Sequence, residues 1–162
     1  MTTGPQYEHT QKGWTYVALY TGALAALAGA WFSRDDRPAM IIVCVAACCM
    51  GLLALCFQTL TVRDEGEHLG VRFGPLAVFR TDVPYAEITA VETARSSIID
   101  GWGIHWMPGR GWTYNLWGFD CVRITLGRKT IRIGTDDPEG LAGFLKIKIA
   151  PDGSSPWLLA GD

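Results

Sequence analysis

The chain has 162 residues, with 14 basic side chains against 16 acidic ones and a formal charge of −2. That length excludes a large multidomain enzyme, and the near balance of charge excludes an electrostatic nucleic-acid footprint. Apolar residues make up 49% and charged residues only 19%, which excludes intrinsic disorder and points toward lipid contact.

Residues 1–13 read as an N-terminal tail. Two uncharged runs follow, 14–32 and 39–57. Each is long enough, at about 1.5 Å per helical residue, to match a hydrocarbon layer of roughly 30 Å. The connector between them carries Arg34, Asp35, Asp36 and Arg37, which hold the turn in the headgroup region, and Pro38 suits the first turn of the second helix. The expected unit is a membrane α-helical hairpin of two transmembrane helices. Trp14, Tyr16, Trp31 and Phe32 stand where an interfacial aromatic belt belongs.

Small residues recur at every fourth position on the first helix, at Ala18, Gly22, Ala26 and Ala30, and again at Ala47 and Gly51 on the second. This spacing predicts the helix-packing seam, or else a face that docks against helices of another protein, because small side chains let backbones approach closely. A cleavable signal sequence ending at Ala28-Gly29-Ala30 is the weaker reading, since the apolar core is long and the second run would still anchor the product. Cys44, Cys48, Cys49 and Cys56 lie in the apolar run as small hydrophobes, leaving Cys121 elsewhere; no disulfide framework or metal-ligand spacing is expected. Lys12, Arg63 and Arg72 flank the outer ends of the hairpin, against Arg34 and Arg37 in the connector. This three-to-two bias places both termini and the soluble part on the cytoplasmic side.

After Gln58 the pattern changes to short alternating segments bounded by Gly, Pro and Asp, the signature of antiparallel strands. Leu60 and Val62 form one such set. Leu69, Val71 and Phe73 form the next, then Val122, Ile124 and Leu126, and then Ile131 and Ile133. Gly127-Arg128 between the last two predicts a type II′ turn. A helix is expected after Asp136 or Asp137 as cap, with Pro138 in its first turn and Leu141, Phe144 and Leu145 as its apolar face. The alternation Lys146-Ile147-Lys148-Ile149 leaves its end open between helix and strand. Residues 58–150 thus read as a small β-rich domain, and 151–162 as a C-terminal tail with one apolar patch at Trp157–Leu159.

Two spans, a strand series, the Gly-x-Gly-Ile element at 101–104, Tyr114-Asn115 and the run Arg132-Ile-Gly-Thr-Asp-Asp-Pro-Glu139 together resemble bacterial pleckstrin-homology-domain membrane proteins, over about residues 59–149. The resemblance implies a PH-like fold: two near-orthogonal antiparallel sheets closed by a C-terminal helix. It also implies a bacterial cytoplasmic-membrane protein and no enzyme activity.

In phosphoinositide-binding relatives of that fold, the loop after the first strand meets phosphates with basic side chains. Here it reads Asp64-Glu65-Gly66-Glu67, whose three carboxylates repel such a ligand. His68 beside it offers the makings of an Asp/Glu/His cation site, with no second ligand cluster to support it, so no metal and no cofactor is expected. Residues 98–120 concentrate Trp102, Trp106, Trp112 and Trp117 with Arg110. Large rings either fill a small core or anchor an interface, and these five residues are the expected partner-binding surface. Gly101-Trp102-Gly103 lacks the context of a phosphate loop, and His9, His68 and His105 are scattered without a nucleophile motif. The function expected is a non-catalytic, membrane-anchored accessory or assembly subunit that engages an integral-membrane protein. The rival reading is a lipid-headgroup sensor, which lacks the basic cluster it needs.

Overall fold

The computed structural model describes residues 6–96 and 102–150, so the first five residues, residues 97–101 with the start of the tryptophan-rich segment and Gly101, and the C-terminal tail 151–162 lie outside the described residues. Strand β1 (Glu8–Lys12) is followed by helices α1 (Thr15–Phe32) and α2 (Arg37–Cys56). Then come β2 (Thr59–Asp64), β3 (His68–Phe73), β4 (Phe79–Pro84), a 3₁₀ turn at Tyr85–Glu87 and β5 (Ile88–Arg95). The chain continues through β6 (Gly103–Met107), β7 (Gly111–Asn115), β8 (Asp120–Leu126), β9 (Lys129–Gly134) and α3 (Pro138–Ile149).

The strands form two sheets, one ordered β1-β2-β3-β4 and the other β5-β8-β9-β7-β6. Two sheets and a C-terminal helix agree with the β-rich reading, with two differences. Residues 8–12, expected in a tail, pair antiparallel with β2, so that Lys12 faces Thr59 and Glu8 faces Arg63. The segment is too short and too polar to announce itself, and the strand exists because β2 offers it an edge. The second difference is that β7 and β9 run parallel, with Trp112 beside Ile131 and Tyr114 beside Ile133, while every other pairing described is antiparallel. The chain inserts β8 on the far side of β9, which brings β7 alongside β9 in the same direction.

Alternation builds the core. Leu60, Val62, Leu69, Val71 and Phe73 from the first sheet meet Val122, Ile124 and Ile133 from the second, and Leu141, Ala142 and Leu145 of α3 join the same cluster. Asp137 caps α3 by accepting the Gly140 amide at 3.1 Å, and its own amide donates to Thr135 Oγ1. The helix continues through Lys146–Ile149 without turning extended. Gly127 has φ +56 in a two-residue connection between Leu126 and Lys129, whereas Arg128 has no positive φ, as the II′ turn requires.

α1 and α2 are each long and apolar enough to cross a membrane, with mean hydropathies of 1.3 and 2.7, and little of either is buried within the protein. Asp36 caps α2, accepting the Ala39 amide at 3.2 Å. The Gly13 amide donates to the Gln58 carbonyl at 3.2 Å, so the β1–β2 ladder continues to the base of the helix pair. The hairpin is therefore an insertion between two paired strands, with no flexible linker on either side.

The seam between the helices keeps Gly22, Ala26, Ala30 and Ala47 of the expected stripe and departs from it at Ala18 and Gly51. Ala23 and Ala30 on α1 and Ala47 and Ala54 on α2 are buried. Each pair is seven residues apart, the spacing of two helical turns. Gly22 belongs to the contact, since a Cβ there would stand 2.5 Å from Met50 Cε, and Ala26 is half-buried. Ala18 is exposed and a Cβ at Gly51 would meet nothing, so these two residues lie off the tight part of the seam.

Candidate interaction surface

The expected tryptophan surface divides into three places. Trp106 on β6 and Trp112 on β7 face each other directly in the ladder. Pleating puts Ile104, Trp106, Trp112, Tyr114, Ile131 and Ile133 on one face. Ile133 is fully buried, Ile104, Tyr114 and Ile131 are partly buried against the core, and Trp106 and Trp112 are 57% and 46% exposed. The two indoles are thus the uncovered end of the face whose other end is the hydrophobic core. Trp112 stacks on Tyr114 with ring centres 6.3 Å apart, which steadies it. A depression of about 340 Å³ lies beside them, bordered by Met107, Thr130 and the cations Arg128 and Lys129. Arg110 is exposed at the β6–β7 turn next to this end.

Trp102 stands elsewhere. It borders a groove of about 510 Å³ at the base of the hairpin, with Trp14, Ala18, Leu19, Phe57 and Leu116. Ala18, expected in the helix seam, serves as a wall of this groove. Trp117 has a structural role: it is half-buried against the core, and its indole Nε1–H donates to the Lys12 carbonyl at 3.0 Å, which ties β1 down. Composition alone gave the same weight to all four rings. Pairing partners and pleat direction separate them, and neither is visible without the register.

The loop after β2 holds a polar network. Asp64 is buried and accepts from Tyr85 Oη at 2.8 Å, the Gly66 amide at 3.0 Å and the Gln6 amide at 3.3 Å, with Lys148 Nζ 3.4 Å away. Burial pushes the Asp64 carboxyl up, but these donors outweigh it and hold the group below the usual carboxylate range. Burial and the neighbouring Asp64 push the Tyr85 hydroxyl up, and burial with Asp137 does the same for Tyr7, whose hydroxyl donates to Asp137 at 3.1 Å.

Glu65, His68 and Asp82 bring one potential ligand atom each to within 4.8 Å of one another. His68 thus has two carboxylates for company, which the sequence order alone does not bring together. However, Arg72 grips both oxygens of Glu65 at 2.6 and 2.7 Å, and His68 lies 3.0 Å from the same carboxylate. The hydrogen bonds from Arg72 hold Glu65 below the usual range, so the positive charge that an ion would bring is already supplied by a side chain.

No protein-family model matches the chain, and comparison with curated proteins finds no match.

Proposed function

We propose that the chain is a membrane-anchored, non-catalytic interaction module, an accessory or assembly subunit of a larger membrane complex. In this reading α1 and α2 span the bacterial cytoplasmic membrane, and a PH-like β domain lies against its cytoplasmic surface. The observation that carries the reading is the exposed Trp106–Trp112 pair on a domain joined to its helices without slack. Exposed paired indoles beside Arg128 and Lys129 combine the residue types that anchor protein interfaces. Fixing that patch at the membrane raises its effective concentration toward membrane partners without further contacts. Both ends of the hairpin leave one β-ladder, so they enter the bilayer from the same side, as a two-span topology demands.

The test is co-purification of the full chain from native membranes in mild detergent, compared with a Trp106→Ala/Trp112→Ala variant. Loss of an integral-membrane partner with the variant is the expected result. Undiminished recovery of the same partner would exclude this surface as the docking site.

A further inference from the structure

The turn between β3 and β4 packs against the end of α2. Gly74, at φ +64, packs so closely on the end of α2 that a Cβ there would lie 2.6 Å from the Cys56 carbonyl oxygen. Its amide donates to the Thr59 carbonyl at 2.7 Å, which fixes the turn rigidly to the first strand after the hairpin. From this anchored point Gly74-Pro-Leu-Ala-Val-Phe79 runs for six residues without a charge. Leu76 is 55% exposed and Val78 is 62% exposed. Phe79 tilts against Phe57 at the foot of α2, ring centres 5.5 Å apart. Ala77 takes φ +45, the one described non-glycine residue with positive φ, in a turn that holds its neighbours' apolar side chains outward.

Depth follows from the helix. With Arg37 in the far headgroups, 19 steps of about 1.5 Å carry the chain about 28 Å to Cys56. That is the thickness of the hydrocarbon layer, roughly 30 Å, so the turn packed on Cys56 stands at its near boundary. Arg72 and Arg80 are paired opposite each other just behind the apolar run, one register step past the Phe73–Phe79 pair. Arg80 is exposed there. A greasy tip with a cation directly behind it matches the change from acyl chain to phosphate across a bilayer interface. Trp14 and Trp102 are exposed at the base of α1, around a groove that Phe57 also lines.

We infer that the β3–β4 turn, with Leu76 and Val78 at its tip, inserts into the near leaflet of the bilayer beside α2, giving the β domain a membrane contact of its own. The occupant of this apolar surface is lipid. The inference rests on the spanning reading of α1 and α2, and the experiment separates the two.

The full chain is reconstituted into nanodiscs of phosphatidylcholine and phosphatidylglycerol that contain phosphatidylcholine with a diazirine near the carbonyl end of one acyl chain. After illumination, adducts are mapped by peptide mass spectrometry. Adducts on residues 75–79 as well as on the ends of α1 and α2 are expected. A Leu76→Ser/Val78→Ser variant should lose the turn adducts and keep those on the helices, which also reports that it is folded and inserted. Adducts on the helices alone overturn the inference and leave the spanning reading standing, whether water, a second copy or a partner helix covers the turn. Absence of adducts from the helices overturns both.

Discussion

Tyr85 donates its hydroxyl to Asp64 Oδ1 at 2.8 Å, and both side chains are buried between the 3₁₀ turn and the end of β2. A buried carboxylate relies on such donors for the solvation it has lost, so Tyr85→Phe leaves Asp64 short of one. Hydrogen bonds to charged groups contribute about 1.5–3 kcal/mol, and the variant should lose stability in that range. Thermal unfolding followed by near-ultraviolet circular dichroism in detergent measures it. A change indistinguishable from zero would mean that water replaces the hydroxyl.

The same network sets a pH profile. Asp64 and Glu65 are both held below their ordinary range. A carboxyl depressed in the folded state contributes stability above its unfolded pKa, about 4, and that contribution disappears as pH falls through the folded value. Tyr7 and Tyr85 are raised, so their contribution is present below about pH 10 and is lost as pH climbs beyond it. The unfolding midpoint should therefore be level through neutrality and drop on both the acid and the alkaline side. Arg72→Gln, which removes the donors on Glu65, should lower the plateau and make the acid decline shallower.

Trp117 and the Trp106–Trp112 pair should respond in opposite ways. Trp117→Ala removes a half-buried ring and the indole donor that holds the Lys12 carbonyl, and should cost about 2 kcal/mol or more. Trp106→Ala removes an exposed ring, and should change stability by less than about 1 kcal/mol. Unfolding midpoints of the two variants, taken together with their partner recovery, separate a ring that builds the domain from one that presents a surface.

Period and composition made the helix pair, the strands around Val62, Val71 and Ile124, and the capped α3 legible, because each carries its own repeat. What remained hidden depends on pairing. Glu8–Lys12 has no apolar alternation and becomes a strand only because β2 lies beside it. The segment around Trp106 and Trp112 reads as a tryptophan-rich loop until register places the two rings opposite each other. Glu65 lies in the β2–β3 turn and Asp82 on β4, and only the β3–β4 pairing brings Asp82 near His68. In the helices, small residues occur at so many positions that a four-residue stripe and a seven-residue seam are both available. Packing uses Gly22, Ala26, Ala30 and Ala47 of the first and adds Ala23 and Ala54 from the second.

That selection is testable at two neighbouring positions of α2. Ala54 is fully buried, so Ala54→Leu must push the helices apart or force strained rotamers, at about 1–3 kcal/mol. A Cβ at Gly51 meets open space, so Gly51→Ala should be neutral or slightly stabilising through helix propensity. Resistance of the helix pair to stepwise denaturing detergent compares them. Equal loss at both positions would make Gly51 part of the contact as well.

The insertion of the hairpin into a ladder gives the sharpest test of the architecture. Lys12 faces Thr59, and Gly13 and Gln58 are already joined by a backbone hydrogen bond. Replacing residues 14–57 by Asn-Gly should therefore close a two-residue β-hairpin, because that dipeptide supplies the two positive φ values of a type I′ turn. The product should fold, with the Tyr7–Phe144 stack and the donors to Asp64 intact. A chain starting at Thr59 should not fold as well. It lacks β1, bares the edge of β2, and loses both the Gln6 amide on Asp64 and the strand that Trp117 holds. Dispersed amide resonances from the first chain and aggregation of the second are expected, since the N-terminal segment also stacks Tyr7 on Phe144 of α3 and accepts from Trp117 in the β7–β8 loop through the Lys12 carbonyl. If the truncated chain folded as stably as the turn-closed one, β1 would be an ornament on the sheet, and the hairpin would hang from a tether instead of being built into the domain.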